Sequence, residues 1–565
     1  MSETRPEFDE EVDLLVIGAG AGGMTAALTG SIAGLSVLLC EKTDMVGGLT
    51  ATSGGTTWVP GTALSHKAGV PDRVEDADAY LRHVIGDRGG DDLRASFLAH
   101  GAEAIAEIEA GSEVRFVAAQ AHPDYRDGPG SAYGGRALAV VEFDGRRLGA
   151  DFERVRPPHG VFMGLGGMMV GRAEIGPLLN PFGSLANLRV TLGLVLGHFR
   201  ARLRHRRGTR LLMGNALVAR LLLSLRQRGV PILFDSPLID LVRDGRSVTG
   251  AVIRTPSGER RIRARRGVVL ATGGIGWSKG LREKLFPREV SRLSQAPEGN
   301  TGDGIAIAVE RADAALDDGG ESPALWMPCS LLPGNKPVPA IWPHILLDRA
   351  KPGLIAVGAD GRRFVNEANS YHDFCMGMIR AGLDEAWLVV DSRFIRQYGL
   401  GLVLPKGRGL GRLLRAGYLW RGDSVEALAR QIGVDPAGLG EAIAANNRFA
   451  ESGVDEAFGR GETALNRFYG DPAAGSPNPC LGAIAAPPFY ALKVVAIDLA
   501  SSAGLRINPN GEVLDGAGEP IAGLYACGND ASSIFRGTYP GPGTTIGPAM
   551  VFGWLAAHHA AKRGA

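Results

Sequence analysis

The stretch Leu14-Leu15-Val16-Ile17-Gly18-Ala19-Gly20-Ala21-Gly22-Gly23 decides the fold. An apolar run enters a glycine-dense turn, an alanine-rich helix comes next, and Val37-Leu38-Leu39-Cys40 forms a second buried strand ending at Glu41. Residues 12–41 therefore predict strand, turn, helix, strand. Gly18 permits the turn, Gly20 lets a pyrophosphate reach the helix N-terminus, and Gly23 allows close packing of helix on strand. Glu41 stands 21 residues after Gly20. A carboxylate there accepts two hydrogen bonds from an adenosine ribose and repels a 2′-phosphate, which favours FAD or NAD over NADP.

The residues after Glu41 separate flavin from nicotinamide. Lys42 to Pro60 continues with Gly47, Gly48, Thr50, Ser53, Gly54 and Gly55 instead of another strand-helix unit, a loop suited to a flavin's diphosphate and ring. Farther on, Val268-Val269-Leu270-Ala271-Thr272-Gly273-Gly274 predicts a short buried strand ending in paired glycines, and Gly523 to Gly528-Asn529 repeats the pattern. Such strands from distant segments imply closure over one extended ligand, with the middle of the chain inserted as another domain. No second GxGxxG is present.

Composition agrees. The 565 residues exceed what one hydrophobic core supports, and 82 glycines are about twice the usual ~7% without a collagen period. A net charge of +1 provides no overall attraction to nucleic acid or membrane. The five cysteines, Cys40, Cys329, Cys375, Cys480 and Cys527, are scattered without CxxC, which argues against a metal centre and fits reduced thiols. Met1-Ser2-Glu3 and the acidic residues after it do not resemble a secretory signal. No apolar run reaches the roughly 18 residues needed to span a bilayer. A cytoplasmic protein is expected.

Residues 186–210 stand apart, with Leu188, Val190, Leu192, Leu194, Val195, Leu196 and Phe199 running into Arg200, Arg202, Arg204, His205, Arg206, Arg207 and Arg210. A solvated charged face beneath a core stripe is one reading, and peripheral membrane contact is the other. Met163, Met168 and Met169, in the Gly/Met-rich stretch Val161–Val170, suit either packing or the entry to an apolar site.

Beyond the opening motif, the segments HPDY (122–125), NEANSY (366–371) and TYPGPGTTIGPAM (538–550) resemble the FAD-dependent 3-ketosteroid Δ1-dehydrogenases, within the wider fumarate-reductase-like flavoproteins. The resemblance covers nearly the whole chain. It implies catalytic roles for Tyr125, Tyr371, Tyr539 and Gly543: the residue matching Tyr371 takes the proton from steroid C2 while C1 delivers hydride to flavin N5. Tyr125 supports that base, and Tyr539 with the Gly543 amide holds the C3 carbonyl. The implied cofactor contacts are Gly18, Ala19, Gly20, Ala21, Gly22, Gly23, Glu41, Lys42, Gly48, Thr50, Ser53, Gly54, Gly55, Leu238, Gly273, Gly528, Asn529, Gly543 and Ile546, with FAD held noncovalently and no metal. Removing hydrogen beside a ketone charges its oxygen, and a phenol O–H with a backbone N–H is a suitable pair of donors. Free tyrosine, with a pKa near 10, is a poor base, so hydrogen bonds within the Tyr371–Tyr125 pair and the flavin's electrostatics are expected to favour phenolate in the transition state.

Fumarate-reductase-type enzymes need cationic and histidine side chains to clamp two carboxylates and an arginine to deliver the proton, whereas Leu325-Trp326-Met327-Pro328-Cys329 suits an apolar substrate. A Δ4-type ketosteroid dehydrogenase is the nearer rival, and a non-catalytic flavin-binding protein is the alternative from another class. The expected architecture is α/β: a Rossmann-like FAD-binding domain (1–320 and 499–565) with an inserted α+β catalytic domain (321–498), a 3-ketosteroid substrate, and an external electron acceptor such as a quinone.

Overall fold

The computed structural model describes residues 8–160, 163–334, 339–345 and 348–563. Met1, Ser2, Glu3 and Val161, which entered the sequence reading, lie outside the described residues. Strand β1 (Glu10–Ile17) leads through the glycine turn into helix α1 (Ala21–Ile32), and β2 (Val37–Cys40) runs parallel to β1, in the predicted order. β3 (Ile232–Leu233) extends the sheet beyond β2, β4 (Gly258–Leu270) flanks β1 on the other side, and β5 (Pro520–Ala526) lies beyond β4. Val268 faces Leu524 and Leu270 faces Ala526 in parallel register, so the two glycine-ended strands are neighbours. Leu14, Leu15 and Val16 are fully buried, as expected of a parallel strand covered on both faces. Helix α2 (Ile546–Lys562) packs so tightly on α1 that a side-chain carbon on Gly553 would fall 2.5 Å from the Gly22 carbonyl. β4 is longer than the predicted short strand because Gly258–Arg263 pairs antiparallel with Ser247–Thr255.

The middle of the chain builds a separate antiparallel sheet in the order Ala340–Pro343, Ala324–Leu332, Phe489–Ser501, Ala386–Asp391, Leu354–Val357, with Trp420–Gly422 also pairing to Phe489–Ser501. It has apolar cores of its own, one around Trp326, Phe374 and Leu492 and another around Val389, Leu428 and Ile443. Phe489–Ser501 runs past Asp498, the expected end of the inserted unit. A third cluster, containing Tyr125, Tyr371, Tyr469 and Tyr539, draws on segments either side of the inserted sheet and on the sheet itself.

Residues 172–203 form a helical pair, Arg172–Leu179 and Leu185–Arg202. The core stripe expected of this region is not there: in the second helix only His198 is buried. Leu192, Leu196 and Phe199 are 49%, 65% and 55% exposed. Nor are all the basic residues surface cations. Arg207 reaches inward to Asn215 and the Val155 carbonyl, and Arg210 pairs with Glu142 and Glu174. No helix among the described residues is long and apolar enough to cross a membrane.

Candidate active site

One cavity of about 860 Å³ runs from the β1–α1 turn to the tyrosine cluster. It is lined by Gly18 through Gly22, Glu41, Lys42, Gly48, Thr50, Ser53, Gly54, Gly55, Leu238, Gly273, Gly528, Asn529, Gly543 and Ile546, together with Tyr125, Tyr371 and Tyr539. Of the residues named from sequence, Gly23 is not among the lining. A side-chain carbon there would fall 1.9 Å from the Gly18 carbonyl, so Gly23 serves helix packing and not ligand contact.

Each tyrosine is fixed by its motif. In HPDY, the buried Asp124 accepts from Trp58 Nε1 at 2.9 Å and from Arg136 at 2.6 Å, and the Tyr125 N–H donates to the Pro540 carbonyl at 2.8 Å. In NEANSY, Ser370 caps the helix Tyr371–Arg380 by accepting from the Asp373 N–H. Glu367 is wholly buried and accepts from Arg363, Arg460 and the Ala356 N–H, while Arg349 donates to the carbonyls of Glu367 and Asn369. Burial alone would push the Glu367 carboxyl up, but Arg363 and Arg460 hold it below the usual range. Tyr371 thus begins a helix whose approach is pinned by charge-assisted bonds. Gly543 has φ +96°, where a side-chain carbon would fall 2.5 Å from the Thr56 carbonyl. Its carbonyl accepts from Trp58 and Gly547.

The phenols stand in series. Tyr125 Oη donates to Tyr371 Oη at 3.2 Å, and Tyr371 Oη donates to Tyr539 Oη at 2.9 Å. Their rings meet edge to face, with centroids 5.3–5.6 Å apart. Burial pushes Tyr125 and Tyr371 well above the ordinary phenol value and Tyr539 to about 12. For Tyr371 desolvation is the largest cause, and the buried neighbours Tyr125 and Tyr539 push the same way.

Several lining residues escaped the sequence reading. Tyr469 and Phe468 border the tyrosines, and His122 Nε2 lies 3.2 Å from Tyr469 Oη. Burial takes His122 down to about 4, so it is neutral at physiological pH. Asp530 accepts from Thr272 Oγ1 and the Gly274 N–H and so shapes the turn after β4. Its position just after Gly528-Asn529 was the only available signal. Met169 and Met327 line the cavity; Met168 is buried elsewhere.

Residues 13–546 match the FAD binding domain family. The chain belongs to it. This flavoprotein is 37% identical to a 3-oxosteroid 1-dehydrogenase of Mycolicibacterium smegmatis over 97% of each chain. It is also 37% identical to a 4-oxocyclohex-2-ene-1-carboxylate 5-dehydrogenase of Sinomonas cyclohexanicum, over 97% of its own length and 94% of the relative's. Among solved structures it resembles the 3-ketosteroid Δ1-dehydrogenase of Sterolibacterium denitrificans in complex with 1,4-androstadiene-3,17-dione, with TM-score 0.89, 33% identity and coverage of 98% and 99%.

The flavoprotein's own residues fit FAD. A side-chain carbon on Gly20 would meet nothing within 4 Å, so open space lies over the N-terminus of α1, where the helix favours phosphate. Glu41 Oε2 accepts from the Ala19 N–H, and Oε1 from Thr43 N–H and Oγ1. These bonds take three of the roughly four acceptor positions of the Glu41 carboxylate, which also lines the cavity. Lys42 is tied to Asp303 and Thr301, which join it in the lining.

Proposed function

We propose that the chain is an FAD-dependent 3-ketosteroid Δ1-dehydrogenase, with residues 1–320 and 499–565 as its cofactor part and 321–498 as its substrate part. The observation carrying this reading is the Tyr125–Tyr371–Tyr539 series, set beside Gly543 in the cavity that also holds the dinucleotide turn. FAD, when bound by the turn, Glu41 and the Thr50–Gly55 loop, supplies the acceptor for the C1 hydride. The chain's residues manage the proton and the oxygen. Tyr539 Oη and the Gly543 N–H donate to the C3 carbonyl as it gains negative charge. Acidified in this way, C2 yields its proton to Tyr371 Oη. Tyr371 must first lose its own phenol proton to water, and a phenolate there accepts from Tyr125 Oη, since the one Tyr539 proton is committed to the C3 oxygen.

The relatives that act on 3-oxosteroids support the steroid reading, as do the apolar Met327, Val170 and Leu49 in the cavity wall. A smaller ring ketone is the second reading, favoured by the equal identity to the Sinomonas relative. Bound FAD would supply the electrons that an external acceptor of the quinone class takes up. We place the protein in the cytoplasm, with the exposed apolar side chains of the 185–203 helix and its Arg200 and Arg202 resting on a lipid surface.

Anaerobic mixing of the purified holoprotein with 4-ene-3-ketosteroids tests the function. Bleaching of the flavin with a new C1–C2 double bond in the product by NMR is the expected result. No bleaching, or unsaturation at another position, overturns it.

A further inference from the structure

Beside the tyrosines the cavity wall carries two cations that the mechanism does not use. Arg172 and Lys351 both line it, and both converge on Tyr469-Gly470. The Arg172 guanidinium lies 4.6 Å from the Phe468 ring centroid and 5.9 Å from that of Tyr469, and Lys351 Nζ donates to the Gly470 carbonyl at 2.8 Å. No carboxylate among the described residues lies within salt-bridge distance of either. The nearest acids are otherwise engaged: Asp348, also in the wall, is paired with His344 at 2.6 Å, and Asp471 accepts from Tyr398 Oη at 2.7 Å. His122 adds no charge, being neutral. Burial pushes Lys351 down and the Asp471 charge draws it back up, while the charge of Arg172 pushes it down again, so the two cations sense one another. Arg172 is exposed and Lys351 half-buried, so two like charges stand together in the cavity wall, where an entering anion would relieve their repulsion.

We propose that Arg172 and Lys351 form an anion-binding part of the substrate cavity wall, and that the preferred ketone carries a carboxylate. This rests on reading the site as a ring-ketone dehydrogenase, and it narrows the substrate class. Phenols and the Gly543 amide hold the ketone oxygen, while a guanidinium and an ammonium hold the carboxylate by charge-assisted bonds. A rigid molecule bound at two points is oriented before the chemistry begins.

The test compares, on holoprotein with a dye acceptor, a 4-ene-3-ketosteroid bearing a side-chain carboxylate with its methyl ester, and 4-oxocyclohexanecarboxylate with its own ester. Within each pair shape is nearly constant and only charge changes. The wild type is expected to favour the acid by roughly ten- to a hundredfold in kcat/KM. The ratio should shrink in high salt. In Arg172→Gln and Lys351→Gln it should approach one, through a higher KM for the acid. If a variant fails to retain FAD, the salt dependence of the wild-type ratio decides. Equal use of acid and ester by the wild type, or a ratio that neither variant nor salt alters, overturns the anion-binding part of the wall. Turnover of the small acid with both steroids inert overturns the steroid reading and keeps the anion-binding part. Inertness toward all four compounds overturns both.

Discussion

The guanidinium of Arg126 meets the carboxylate of Asp373 at 2.6 Å, joining the residue after Tyr125 to the first turn of the helix that Tyr371 begins. The pair sets the separation of two phenols that come from different segments. Burial alone would push Asp373 up, but Arg126 holds it below the ordinary carboxylate range. Its stabilising contribution is thus present above the unfolded carboxyl pKa near 4 and is lost as pH falls through the lower folded value.

Asp373→Asn is expected to lower kcat for flavin reduction roughly tenfold with KM little changed, because the phenols are misplaced and the ketone site is untouched. The same variant should lose about 1–3 kcal/mol of stability at pH 7, and wild type and variant should converge in acid. Thermal unfolding across pH checks the second expectation. Stopped-flow bleaching checks the first.

The phenol series predicts a graded set of variants. Tyr371→Phe deletes the oxygen proposed to receive the C2 proton and should abolish substrate-driven bleaching while FAD and steroid still bind. Tyr539→Phe should lower turnover by roughly two to three powers of ten and weaken ketosteroid binding, since it removes a donor to the developing oxyanion. Tyr125→Phe should fall between wild type and Tyr371→Phe. Wild-type bleaching by Tyr371→Phe would remove that residue from the role of base.

Because burial lifts Tyr371 well above 10, its phenolate fraction is small at neutral pH and rises with alkalinity. The rate of flavin reduction should climb by about tenfold per pH unit between roughly pH 6 and 9. A flat profile over that span, with chemistry shown to limit the rate by C2 deuteration, would mean that the proton leaves to another group.

FAD should be released intact by acid precipitation, leaving a colourless protein pellet, since no histidine lies between Thr50 and Thr57 to form a covalent link. Glu41→Ala should weaken retention by about 1.5–3 kcal/mol. The variant also strips an acceptor from the Ala19 N–H, so Glu41→Gln, which keeps a carbonyl oxygen there, should retain more flavin than the alanine variant. Equilibrium binding of FAD to the three apoproteins measures the order.

Leu196→Ser with Phe199→Ser should reduce cosedimentation with anionic phospholipid vesicles by at least about tenfold, leaving steroid oxidation in detergent-free solution near wild type. Wild-type protein that stays in the supernatant at low salt would overturn the membrane placement.

Local rules made part of this molecule legible. Leu14–Gly23 and Glu41 announce the dinucleotide turn because each residue acts within one strand-turn-helix unit. The pairing of Val268–Leu270 with Leu524–Ala526 was only hinted at by matching glycines, since register between distant strands is set by tertiary packing. Arg126–Asp373 and the seating of Glu367 between Arg363 and Arg460 join residues whose sequence spacing carries no signal, apart from the i, i+4 relation of Arg363 to Glu367. In the 185–203 helix the apolar residues suggested a core stripe, but they are spread around the helix, so most remain outside.

The parallel pairing of β4 with β5 orders events on the ribosome. The chain emerges with β4 in place while its partner edge stays open until the whole inserted sheet and then residues 520–526 have been made. That inserted sheet has cores of its own to collapse around in the meantime. Tyr539, Gly543 and the helix behind them arrive later still, so a nascent chain can complete neither its ketone-binding donors nor its flavin cavity ahead of time. The wall of the flavin cavity is therefore complete only after residue 546 has been added.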